Sequence, residues 1–118
     1  MINTIKHFKN GNIEYPLAFT MNVIEKIQDK YGSYEKWGDM TDRKDREPNI
    51  GALKFGITEM INEGIDIENE NLENKREFLT PKQVGRLITE IGIAQMTNKV
   101  QETVIESTKD KNDEEKNV

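Results

Sequence analysis

Residues 79–104 read LTPKQVGRLITEIGIAQMTNKVQETV, and whether they encode one helix or two decides the fold. Thr80 stands at an N-cap position, Pro81 at the first helical position and Gln83 three residues after the cap, with Leu79 and Val84 on either side. That spacing is a capping box with a hydrophobic staple. The threonine hydroxyl and the glutamine side chain each satisfy a backbone N–H that the first turn leaves without a partner. Val84, Leu87, Ile88 and Ile91 then recur on one face, while Ile93, Met96, Val100 and Val104 repeat on the opposite side, roughly 180° away at about 100° per residue. The phase changes at Gly92. Glycine costs about 1 kcal/mol relative to alanine inside a helix, so a break or sharp kink is expected there, with both stripes facing one core. A continuous helix would instead turn the second stripe toward another molecule.

Working outward, a helix beginning near Pro48 buries Ile50, Leu53, Ile57, Met60 and Ile61 and is expected to end at Gly64. Gly56 and Gly85 fall inside helical pattern, where close approach of a neighbouring element explains a glycine. Thr20 caps an earlier helix whose face is Val23, Ile24, Ile27 and Tyr31, stopped by Gly32. Ser33 restarts a short helix in which Tyr34 and Trp37, three apart, form either an aromatic lid on the core or a contact for a partner. Asn10-Gly11 predicts a hairpin turn that pairs Lys9 with Asn12, Phe8 with Ile13, His7 with Glu14 and Lys6 with Tyr15. Phe8, Ile13, Tyr15 and Leu17 then share one apolar face. Pro16 marks an edge strand or a strand end. The expectation is a mainly α fold, a small helical domain of four to five helices with an N-terminal β-hairpin. Residues 1–108 form the domain, residues 1–17 its hairpin, and residues 109–118 a disordered acidic tail.

Composition limits the chemistry. A chain of 118 residues is one domain by size. With 33% charged residues and a net charge of −5, its overall field repels nucleic acid and anionic membrane alike, which leaves proteins as the expected partners. It holds no cysteine and one histidine, His7, which removes thiol catalysis and histidine-rich metal centres. Glu25 and Asp29, four apart on the exposed side of a helix, are ordinary solubilising charges. No catalytic, cofactor-binding or metal-binding residue is expected. No apolar run approaches the roughly 20 residues that span a bilayer, and the first residues lack a signal-peptide apolar block, so the product is expected to stay in the cytoplasm.

Two local patterns offer other functions. DIENENLENKRE, residues 66–77, places Asp66, Glu68, Glu70 and Glu77 at ligand positions of a calcium-binding helix-loop-helix. Asn71 stands where that loop needs glycine, and Glu73 where it needs a core-facing aliphatic, so the run is read as a solvated linker. Residues 87–104 superficially suggest a helix-turn-helix transcriptional regulator. From Ile93 to Ser107, however, Lys99 is the one positive side chain, against Glu102 and Glu106, and attraction to phosphate would be nearly absent.

Three landmarks carry a resemblance. Tyr15-Pro16-Leu17 closes a short strand, Tyr31-Gly32 ends a helix, and Leu79-Thr80, Val84 and Gly85 open a late helix. Across residues 5–108 the chain resembles the tail assembly chaperones of long-tailed bacteriophages and their prophage and gene-transfer-agent relatives. The resemblance implies a non-enzymatic factor of the bacterial cytoplasm, absent from the mature virion. Such a factor coats the long helical tape measure protein and, in a longer frameshifted form, recruits tail tube protein. Self-association is a further interaction in keeping with coating in many copies. An exposed apolar face would serve these partners, with Ile93, Met96, Val100 and Val104 as candidates and Tyr34 and Trp37 beside them. Glu115-Lys116-Asn117 can be encoded GAA AAA AAC, a run on which ribosomes slip back one nucleotide, so the chain is expected to be the short product.

Overall fold

The computed structural model describes residues 5–43 and 45–109, so the expected disordered tail lies almost wholly outside the described residues. A two-stranded antiparallel hairpin, β1 (Ile5–Asn10) and β2 (Ile13–Ala18), precedes five helices. These are α1 (Met21–Tyr31), α2 (Tyr34–Thr41), α3 (Ile50–Asn69), α4 (Pro81–Ile91) and α5 (Ile93–Ser107). The mainly α class with an N-terminal hairpin is thus as expected. Leu17, Phe19, Ile27, Leu53, Ile57, Met60, Ile61, Val84 and Met96 form the centre of the core, each almost fully buried.

The segment that decides the fold behaves as its sequence demands at both ends. Thr80 Oγ1 accepts from the Gln83 N–H at 3.2 Å while Gln83 Oε1 accepts from the Thr80 N–H at 2.8 Å, completing the capping box. At Gly92 the backbone takes φ +103 and ψ 140, a conformation essentially confined to glycine, and the chain changes direction between α4 and α5. Both helices consequently reach one core, α4 through Val84, Leu87 and Ile88 and α5 through Met96 and Val100.

The hairpin register differs from the sequence expectation. Asn10 pairs with Ile13, Phe8 with Tyr15, His7 with Pro16 and Lys6 with Leu17. The turn residues are therefore Gly11-Asn12, with positive φ at Gly11 alone (φ +63), the pattern of a turn that places glycine first. The slip is two residues, and because side chains alternate with a period of two, the apolar face keeps its membership. Phe8 and Tyr15 stack with ring centroids 5.4 Å apart. His7 loses its expected neighbour Glu14 and lies instead 2.7 Å from Glu68 of α3.

The third helix also departs from expectation, running through Gly64 to Asn69. Gly64 is a packing position and not a stop: a Cβ there would stand 2.7 Å from Pro16 Cβ, so only glycine lets β2 lie directly on α3. The hairpin is covered on both faces, by Gly64 at Pro16 and by the α4–α5 side, where Phe8 shares a crevice with Ile91 and Met96. Thr20 precedes α1 as expected, yet its side chain makes no cap. Its hydroxyl donates to Glu63 of α3, which also accepts from the Asn22 amide at 3.1 Å, tying the start of α1 to α3 across the chain.

Residues 66–77 form neither a calcium loop nor a loose linker. Asp66, Glu68 and Asn69 are the last turn of α3, and the connector beyond them is clipped against that helix. The Asn69 side chain accepts from the Arg76 N–H at 2.9 Å and donates to the Arg76 carbonyl at 2.9 Å. Seven residues earlier, the Asn62 side chain accepts from the Leu79 N–H at 2.8 Å and donates to its carbonyl at 2.9 Å. Each amide thus offers the connector the donor and acceptor that a neighbouring strand would. The Lys75 ammonium donates to the Asn69 carbonyl at the C-terminal end of α3, where the helix dipole favours a cation. Arg76 lies over the Tyr15 ring, 4.9 Å from its centroid, and donates to the Glu14 carbonyl at 2.7 Å. Replacing Asn62 with alanine should cost about 1–3 kcal/mol, since two bonds are lost and the Leu79 backbone is left short of partners. Urea denaturation measures the loss. Hydrogen exchange should accelerate at Leu79 first, and unchanged protection there would contradict the clip.

Candidate functional site

The candidate residues divide when the chain folds. Trp37 is 2% exposed, and its indole N–H donates to the Ala52 carbonyl at 2.8 Å, so it belongs to the core that the lid reading anticipated. Its ring stacks near Phe19, centroids 6.3 Å apart, and lies across Gly56 of α3. Met96 (1% exposed) and Val100 (4%) are core residues as well, whereas Ile93 is exposed at the start of α5. The expected stripe of Ile93, Met96, Val100 and Val104 is accordingly not a free face. The buried line of α5 is Met96, Val100, Thr103 and Ser107, rotated away from the stripe the apolar residues suggested. Thr103 tolerates full burial because its hydroxyl donates to the Lys99 carbonyl one turn back, at 2.8 Å, and needs no partner outside the helix.

That rotation leaves Val104 half-buried and Ile105 62% exposed on the side of α5 that looks toward α2. Between the two helices lies a groove of about 400 Å³. Tyr34, Trp37, Leu53, Val100 and Val104 form its apolar lining, and Ile105 extends that lining to the surface. Four of the six sequence-derived candidates, Tyr34, Trp37, Val100 and Val104, thereby meet around one concave feature. Ile93 does not border it, and Met96 borders the Phe8 crevice on the hairpin side.

The groove has a charged rim. Glu35, Asp39 and Asp42 line it, and none of its lining residues is Lys or Arg among the described residues. Glu35 and Asp39 stand four apart on α2, so they form one acidic line along the helix. Thr97 Oγ1 is buried in the groove wall with no hydrogen-bond partner among the described residues. An apolar floor and one acidic margin are suited to holding a partner segment.

Sequence reading missed Ile105, Thr97 and the three acids. Ile105 carried a signal: two consecutive apolar residues, Val104 and Ile105, cannot both sit on a single narrow stripe, so one of them has to face outward. The acids carried none, because charge on a short exposed helix is ordinary until a groove lies beside it. On α5 the lone base, Lys99, lies 3.4 Å from Glu102, and this pairing further reduces its availability to a phosphate backbone. Among the described residues no group of His, Asp or Glu is arranged to hold a metal ion, and no helix is long and apolar enough to cross a membrane. No protein-family model, curated protein or solved structure matches the chain.

Proposed function

We propose that this chain is a tail assembly chaperone of a long-tailed phage or prophage, binding the tape measure protein before the tail tube encloses it. The observation that carries the reading is the α2–α5 groove, with its apolar floor and acidic rim. A tape measure exposes long apolar helical stripes until the tube surrounds it, and a small domain whose groove admits a few side chains of such a stripe could cover them copy by copy. The three landmarks of the resemblance support the same reading by falling at element boundaries or inside packed contacts. Tyr15-Pro16-Leu17 lies in β2 where it meets α3, Gly32 ends α1, and Leu79-Thr80 opens α4. On this reading the factor is non-enzymatic, works in the host cytoplasm and leaves before the virion is mature. A longer frameshifted form adds a domain that recruits tail tube protein, and copies associate with one another along the tape measure. Glu115-Lys116-Asn117, the site of the slip, lies outside the described residues.

The reading requires a tape measure gene in the same genome, and co-expression with its product tests it. The expected result is that the tape measure protein is recovered in solution in complex with this chain and precipitates without it. A tape measure protein equally soluble alone, or one that never copurifies, would refute it. The gene sequence bears on the longer form separately: a GAG codon for Glu115 or an AAG codon for Lys116 would remove the slippage.

A further inference from the structure

We infer that the α2–α5 groove takes a single amphipathic helix of a partner, one whose apolar ridge is flanked by lysine or arginine; this rests on reading the groove as the protein-binding site. The groove is open along one side and its volume admits a few side chains, which suits the i, i+3, i+4 anchors of one helix and excludes a folded domain. The lips differ in chemistry. On α5 the margin is uncharged, with Val104 half-buried and Ile105 exposed beside Gln101, and on the α2 side it is acidic, with Glu35, Asp39 and Asp42. None of those three acids takes part in an ion pair among the described residues. A ridge lying on Tyr34 and Val104 would bring its flanking residues beside them, where a lysine or arginine gains a partner and a glutamate is repelled.

Other occupants fit less well. A second copy of this chain carries a net charge of −5, and its exposed α5 side presents Glu102 and Glu106 against one lysine, so it meets the acidic rim with like charge. The chain's own residues 109–118, KDKNDEEKNV, hold one apolar residue and cannot supply a ridge.

The sole tryptophan, Trp37, borders the groove and reports its occupancy by fluorescence. The probe is a synthetic helical peptide of about 18 residues, five turns, with leucine on one face and lysine on both flanks; a glutamate-flanked peptide of the same apolar face is its counterpart. The lysine peptide should shift Trp37 emission saturably and the glutamate peptide should not. Asp39→Lys should weaken binding about threefold, and Glu35→Lys with Asp39→Lys about tenfold, with raised salt acting in the same direction. Ile105→Lys should abolish binding. Glu25→Lys with Asp29→Lys, on the exposed side of α1, should leave it unchanged. Equal binding of both peptides, or equal weakening by the α1 pair, would overturn the inference, as would a dimer of this chain that Ile105→Lys dissolves. The two readings fail separately. A tape measure protein that copurifies undiminished with the Ile105→Lys and rim variants sinks the groove and spares the chaperone. A lysine peptide bound as described, with no tape measure complex, does the reverse.

Discussion

Replacing Gly56 with alanine should destabilise the domain by about 3 kcal/mol, although the same change in an exposed helix would stabilise it by about 1 kcal/mol. An added Cβ would stand 2.2 Å from Trp37 Cζ2, 2.6 Å from Cε2 and 2.8 Å from Nε1, all atoms of one rigid ring. The ring has nowhere to go without loss. It is held from one side by Phe19 and from within by its hydrogen bond to Ala52, four residues before Gly56 on the same helix. Overpacking of this kind costs roughly 1–3 kcal/mol, and a ring pushed outward leaves the indole N–H unpaired, which costs about 1–3 kcal/mol more. The helix-propensity gain offsets only part of that. Against a total stability of about 5–15 kcal/mol the net loss is large. Denaturant unfolding followed by Trp37 emission measures it, and the native emission should move to longer wavelength as the ring meets water. A midpoint equal to or above that of the unsubstituted protein would show that Trp37 is not wedged on Gly56.

Gly56 and Gly64 also explain what the sequence concealed. Local chemistry was legible: the capping box at Thr80 and Gln83 needs only residues three apart, and the break at Gly92 announces itself as a change of phase within one segment. Close approach between distant segments was not. Gly64 reads as a helix stop until Pro16, 48 residues earlier, is known to lie on it, and so the last turn of α3 reads as a linker. The hairpin turn fails for a smaller reason, since Asn10-Gly11 and Gly11-Asn12 both satisfy local turn chemistry. A slip of two leaves every side chain on its own face, so the alternation of apolar residues does not choose between the two registers either. For the site, sequence supplied two apolar sets in separate helices but not the fact that α2 and α5 border one groove. It also could not show that a threonine at 103 would take the buried place and leave Val104 at the groove wall, with Ile105 outside.

The core and the interface can be separated within one helix by placing the same charge at two positions five residues apart. Val100→Asp should remove much of the domain's stability. At 4% exposure the carboxylate would be set among Trp37, Leu53 and the rest of the core, with no base lining that region among the described residues, and the combined cost of lost packing and an unpaired charge is about 3–5 kcal/mol. Ile105→Asp should cost no more than about 1 kcal/mol, because the side chain is already 62% exposed and the change is chiefly one of helix propensity. Urea denaturation followed by circular dichroism at 222 nm, the ordinary helix band, separates the two, with the midpoint falling far for Val100→Asp and little for Ile105→Asp. The comparison matters because the stripe from Ile93 to Val104 admits two readings in sequence, core or interface, and the fold answers residue by residue. Val100 holds the helix to the domain, while Ile105, one step off the stripe, is free to meet a partner. Were Val100→Asp to keep its helix and its denaturation midpoint, the buried line of α5 through Met96, Val100, Thr103 and Ser107 would be wrong, and the second stripe would return as the interface.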